Sequence, residues 1–346
     1  HWGGSYENRM RFPVEVVRRI RAAVRADFIV IFRIAAMDML QDGMSWDEIV
    51  QLGQAIDHAG ANIISTHFTW NESAVPTIST RVPRAAFAGV TGRLRKELGI
   101  PTITSNRINM PDVAEKVLAD GHADLVSMAR PMLADAELVN KALEGREDEI
   151  NTCIACNQAC LDHTFTGQEV SCLVNPRACH ETLLNYVQTE APKRIAVVGA
   201  GPAGLGYATV AAQRGHAVTL FDSADEIGGQ FNLAKRVPGK EEFSETLRYY
   251  RRMIEVLGID LRLNTPVDAA QLKNANFEEV VIATGIKPRI PELEGIDHPS
   301  VVSYIDVIRG NKRVGHRVAI IGAGGIGFDV AELIMHKGTS AAMDLD

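Results

Sequence analysis

The chain has 346 residues, 46% of them hydrophobic and 23% charged, with a formal net charge of −7. That balance is ordinary for a folded globular protein; it leaves no basic footprint for nucleic acid and no polybasic anchor for a membrane surface. No run approaches the roughly 18 uninterrupted apolar residues that a bilayer-spanning helix needs.

The length allows two or three domains. The chain opens on His1 rather than Met, and both ends are expected to be cut. Pro13 is read as opening an amphipathic helix through Val16, Val17 and Ile20. Short apolar runs then recur as expected strands: "DFIVIFR" (27–33), "ANIISTH" (61–67), "IPTITS" (100–105) and "ADLVSM" (123–128). Runs this uniformly apolar suit strands buried on both faces. Between the first two, Ser45 and Glu48 form a capping box. Ile49, Leu52 and Ile56 make a helical stripe, and Gly60 suits the position after the helix end. Repeated βα units imply a parallel sheet. Four strands cannot close a (β/α)8 barrel, so they are read as the last four of eight.

Residues 146–192 form a loop region holding all five cysteines and ending in the polar linker "QTEAPKR". Cys153, Cys156, Cys160 and Cys172 are spaced C-x2-C-x3-C-x11-C. Three thiolates within eight residues and one further on suit a [4Fe–4S] cube, in which each iron takes one sulfur ligand. Structural zinc more often uses two separated C-x2-C pairs, so iron–sulfur is favoured over zinc. Cys179 is a bystander once four ligands are counted. Clustered thiols do not read as a secreted disulfide framework, and a cytoplasmic protein is expected.

"RIAVVGAGPAGL" then starts a dinucleotide-binding unit. Gly199, Gly201 and Gly204 give G-x-G-x-x-G directly after an apolar strand; the first two permit a tight turn and close approach to a pyrophosphate, the third lets helix pack on strand. Asp222, ending "AVTLFD", lies where a carboxylate accepts from ribose hydroxyls. The strand before Ala283, Thr284 and Gly285 brings a second bare backbone segment towards the nucleotide. "GAGGIG" repeats the fingerprint with Gly322, Gly324 and Gly327. Two such sites in tandem mean a flavin and a nicotinamide. The residue that separates NAD from NADP would fall near or past Asp346, so that choice is unreadable.

In the barrel, "SMARP" follows the last strand, where Arg130 and backbone amides would meet a phosphate. Arg33 would place a cation beside the N1/O2 edge of a flavin, or else pair with a neighbouring acid. His67, near a strand end, reads either as a locally satisfied histidine or as a ligand contact.

Together, "HWGGSYENRMRF", "NRIN", "VSMARPMLADAEL", "INTCIACNQACLDHTFTG", "EIGGQFN", "PGKEEFSETLRYYRRMIE" and "AIIGAGGIGFD" resemble the bacterial 2,4-dienoyl-CoA reductases, within the old yellow enzyme and trimethylamine dehydrogenase group. The resemblance runs from residue 1 to about residue 334. It implies the C-terminal half of an FMN-binding (β/α)8 barrel over 1–145 and a [4Fe–4S] loop and linker over 146–192. It also implies a Rossmann-like FAD domain over 193–312 and a truncated Rossmann-like NADPH domain over 313–346. On matching positions, Arg33, Asn106, Ala129 and Arg130 would face FMN, and the four cysteines would hold the cluster. Ala203, Asp222, Gln230, Lys240 and the Val267 backbone would touch FAD.

The inventory makes an electron relay from NADPH through FAD and the cluster to FMN, ending in reduction of an acyl-CoA substrate in unsaturated fatty-acid oxidation. In the reductases a tyrosine donates the proton, and it precedes the barrel half present here. Their histidine, in a W-H-E context, falls on "WNE", which places Asn71 there; an amide hydrogen-bonds a thioester carbonyl but supplies no proton. Two other readings stay open: an amine dehydrogenase of the same group, and a non-catalytic electron-transfer module. The 346-residue piece alone is expected to be inactive.

Overall fold

A computed structural model describes residues 1–70 and 72–343. The first sheet is parallel, with strands β1 (Ile31–Met37), β2 (Ile63–Phe68), β3 (Thr102–Thr104) and β4 (Leu125–Val126) in sequence order. Helices Trp46–His58, Ala88–Arg95 and Pro111–Ala119 make the crossovers. The expected capping box is present: Ser45 accepts from the Glu48 N–H, and the Glu48 carboxylate accepts from the Ser45 N–H. Gly60 follows that helix with φ +102, a conformation that favours glycine. Ile49 and Ile56 from this helix, Ile34 and Ile64 from β1 and β2, and Leu94 form the core between layers.

Two elements differ from their sequence reading. The first helix spans Tyr6–Ala23 and carries Pro13 inside it. Its first turns are held by tertiary contacts, the Tyr6 hydroxyl donating to Glu48 O and Arg9 pairing with the Glu48 carboxylate. These contacts offset the backbone donor that proline removes. Strand β1 is shifted towards the C-terminus, because its buried stretch is Ile34–Ala36. Arg33 therefore sits within the strand, opposite Ser65, rather than at its end.

The second sheet is also parallel, in the order β7-β6-β5-β8, from Arg194–Val198 (β5), Ala217–Phe221 (β6), Asp260–Arg262 (β7) and Glu279–Ile282 (β8). The chain order doubles back beside β5, the arrangement in which nucleotides bind at the carboxyl ends of the strands. Its core is Ile195, Val197, Leu205, Leu220 and Ile254. Before the second fingerprint no strand forms: residues 317–321 pair with no other described segment. Helix Gly325–Met335 forms nonetheless, and its Val330 packs with Ile308 and Leu233.

Charged side chains join the two sheets' units. Arg248 donates to Asp148 O and Ile150 O, each at 2.6 Å. Glu242 binds Arg84 and Arg107 of the first unit. Among the described residues no helix is long and apolar enough to cross a membrane.

Candidate active site and cofactor pockets

The carboxyl ends of β3 and β4 open on a cavity that brings Arg33, Asn106, Ala129 and Arg130 together. It lies at the face where barrels of this kind bind ligands. Asn106 holds φ +71 and Arg107 φ +57, a left-handed pair that turns the chain sharply out of β3. The Asn106 amide donates to Thr77 Oγ1 at 3.1 Å, and Ser105 donates to Thr66 O at 2.8 Å. The pocket floor is thus tied to β2 and its following loop. Arg130 starts a short helix and donates to Ile78 O at 2.8 Å and to Asn157 Oδ1 at 2.5 Å.

Sequence reading missed Arg107 and Asn109, which also line the cavity. Both lie in "NRIN", where spacing gave them no role. Asn109 is buried; its amide donates to Cys153 O at 2.9 Å, and its Oδ1 has no partner.

Cys153, Cys156, Cys160 and Cys172 line a second, smaller cavity that is otherwise largely apolar. Arg130 and Cys153 line both cavities, so the two share a wall. The loop is built from unusual backbone: Ala155 has φ +51, Asn157 has φ +63, and a π-helical turn over Gln158–Asp162 carries Cys160. Left-handed alanine costs on the order of 1 kcal/mol, and such local strain gathers at functional sites. Burial pushes the Cys153 thiol up, with Arg130 opposing it, and pushes Cys172 to about 11. A bound metal reverses this by taking the thiolate. Among the described residues no three His, Cys, Asp or Glu side chains stand where a single metal ion would be held. Exposed Cys179 is absent from the cavity wall.

At the nucleotide unit, Gly199 has φ +110, and a Cβ there would lie 2.3 Å from Ala283 O; one on Gly204 would lie 1.8 Å from Gly199 O. Gly201 is different. It precedes helix Pro202–Gln213, and nothing stands within 4 Å of its Cβ position. Ala203 lies in that helix's first turn. Asp222 accepts from Ala200 N at 2.6 Å and from Ala224 N at 2.8 Å, so it already clamps the glycine turn. The Thr265 N–H donates to Asp222 O at 2.8 Å, which brings the segment containing Val267 alongside. Gln230 donates to Ile286 O at 2.9 Å, just past Gly285. Lys240 pairs with Asp329 at 2.6 Å.

Gly322, Gly324 and Gly327 repeat the turn: a Cβ on Gly327 would lie 2.1 Å from Gly322 O. Near the barrel pocket, His67 packs edge-on against Trp70, 5.5 Å between ring centres. Burial and then Arg33 hold its pKa below the ordinary imidazole value. Trp70 donates to Asp38 Oδ1 at 2.7 Å. Asn71 lies outside the described residues.

Residues 1–149 match the NADH:flavin oxidoreductase / NADH oxidase family, and residues 193–343 match the pyridine nucleotide-disulphide oxidoreductase family. The two matches together make the chain similar to the old yellow enzyme-like flavin oxidoreductases. Among the relatives of this chain is a metal reductase of Desulforamulus reducens, 39% identical over 98% of this chain and 51% of the relative. An NADH oxidase of Thermoanaerobacter brockii is 33% identical over 99% of this chain and 54% of the relative. A solved 2-naphthoyl-CoA reductase in complex with 2-naphthoyl-CoA superposes with a TM-score of 0.93 at 36% identity, covering 96% of this chain and 51% of that one. The chain thus spans about half the length of the relatives it matches.

Proposed function

We propose that the protein belongs to an NADPH-dependent reductase of carbon–carbon double bonds conjugated to a CoA thioester, with 2,4-dienoyl-CoA as substrate. The observation that carries this reading is the shared wall: Arg130 and Cys153 line both the barrel cavity and the four-cysteine cavity. The likeness to a naphthoyl-CoA reductase supports an acyl-CoA substrate.

The cysteine cavity fits a [4Fe–4S] cube better than one zinc ion. Its donors are four thiols in a largely apolar wall, with three of them inside eight residues, a donor set that suits a cube. In a cube each sulfur binds its own iron, so the sulfurs stand apart. When bound, FAD, the cluster and FMN would supply the conversion between hydride and single-electron chemistry.

This chain's residues would do the following. Cys153, Cys156, Cys160 and Cys172 hold the cluster. Arg33 and Arg130 set positive charge on the barrel pocket, where a reduced ring gathers negative charge. Gly199 and Gly201 let backbone approach the FAD pyrophosphate at the helix starting with Pro202, with Ala203, Asp222, Gln230, Val267, Ala283 and Gly285 around it. Asp222 keeps free lone pairs for ribose, since a carboxylate offers about four acceptor positions. Gly322, Gly324 and Gly327 serve the nicotinamide dinucleotide in the same way. Lys240, paired with Asp329, would touch FAD. Asn71 would hydrogen-bond the thioester carbonyl. The test is steady-state reduction of a 2,4-dienoyl-CoA by the full-length protein with NADPH. Turnover on simple cyclic enones alone, or flavin bleaching by an amine and not by NADPH, would count against it.

A further inference from the structure

Arg107 lines the barrel cavity yet is almost wholly buried, its side chain 2% exposed. Its Nε donates to Val82 O at 2.8 Å, and its Nη2 donates to the Glu242 carboxylate. Glu242 comes from the second sheet's unit, from the helical turn Glu241–Phe243, and is 6% exposed. Its other oxygen accepts from Arg84 Nε at 2.9 Å. Glu245 reaches the same Arg84 at 3.5 Å from a more exposed position. One buried carboxylate therefore answers two guanidiniums, one of them on the wall of the proposed flavin site. In a low-dielectric setting such a charge is felt strongly by its neighbours.

We infer that Glu242 is a positioning residue of the barrel's flavin pocket: seated from the nucleotide-binding unit, it fixes Arg107 and sets the residual charge on the pocket wall. The inference rests on the flavin reading of that pocket. With Glu242 in place, Arg107 is largely neutralised. Without it, an uncompensated cation stands beside the ring and favours the electron-rich, reduced flavin. Docking of the two units then tunes the flavin as well as holding the units together, which a surface ion pair does not do.

The test is the midpoint potential of the barrel flavin, measured by spectroelectrochemistry on the full-length holoprotein. Glu242→Gln is expected to raise it, by at least a tenfold change in the ratio of reduced to oxidised flavin, about 30 mV for a two-electron couple. Arg84→Gln is expected to lower it, because Glu242 then answers Arg107 alone. Opposite signs are the signature; a purely structural clasp would move both variants the same way or neither. If Glu242→Gln does not fold, Arg84→Gln decides: a lowered potential supports the inference and an unmoved one overturns it. Wild type that carries FMN while both potentials stay put overturns this inference alone. Wild type without FMN in the barrel overturns the flavin reading with it.

Discussion

Alanine at Gly204 and at Gly201 should have opposite consequences, although the two glycines are three residues apart in one motif. At Gly204 the helix interior would favour alanine over glycine by about 1 kcal/mol. Against that, the new Cβ would lie 1.8 Å from Gly199 O and 3.4 Å from the Ala283 side chain. Backbone on both sides leaves little room to relax, and overpacking of this kind costs about 1–3 kcal/mol or more. A net loss of about 2 kcal/mol follows, which lowers the melting temperature of a unit this size by roughly 4–8 °C. Gly201 has φ −76 and ψ 178, ordinary extended backbone, and no atom stands within 4 Å of its Cβ position. Alanine there should change stability by less than about 0.5 kcal/mol. The added methyl fills the space left for a pyrophosphate, and FAD affinity should fall at least about tenfold. Thermal unfolding of flavin-stripped full-length protein and FAD retained after gel filtration measure the two effects separately. Wild-type FAD retention by Gly201→Ala, or wild-type stability of Gly204→Ala, would refute the reasoning.

Three further outcomes are expected. Cys153→Ser should lose most of the iron from anaerobically purified full-length protein, whereas Cys179→Ser should keep it, as metal analysis would register; the first thiol lines the cysteine cavity and the second is exposed. Arg130→Ala should weaken FMN binding and loosen the cysteine loop, because the guanidinium fastens Ile78 and the left-handed Asn157 together; FMN titration and iron retention read the two losses. For the clasp, burial pushes Glu242 up, but Arg84 and Arg107 outweigh burial and hold its carboxyl below the ordinary range. Its stabilisation is therefore complete above the ordinary glutamate value of about 4.3 and lost as pH falls through the lower, folded value. Limited proteolysis between the units should stay constant down to about pH 5 and rise only below about 4, and Glu242→Gln should show no such acid step.

Several of these features were legible in the sequence because they are local. The capping box at Ser45 and Glu48 and the glycine turn each depend on residues close in the chain, and each forms. Strand β1 was displaced because its position is set by pairing with β2, which places Ile34–Ala36 in the core. Pro13 misled for the same reason: contacts from Tyr6 and Arg9 to Glu48, some forty residues on, extend the helix past it. The apolar run at 317–321 has the composition of a strand, but a strand needs a neighbour. Lys240 meets Asp329, 89 residues away, and Glu242 meets Arg107 at a separation of 135. No periodicity encodes either pairing. The shared wall of the two cavities is likewise a tertiary fact, made by Arg130 and Cys153 from separate segments.

The most direct measurement is iron and acid-labile sulfide in anaerobically purified full-length protein, with low-temperature EPR after reduction by NADPH. The account predicts about four irons and four sulfides per chain and a reduced-cluster signal, both lost when Cys153 is replaced by serine. Zinc at residues 153–172, or an empty loop in protein that still carries both flavins, would contradict it.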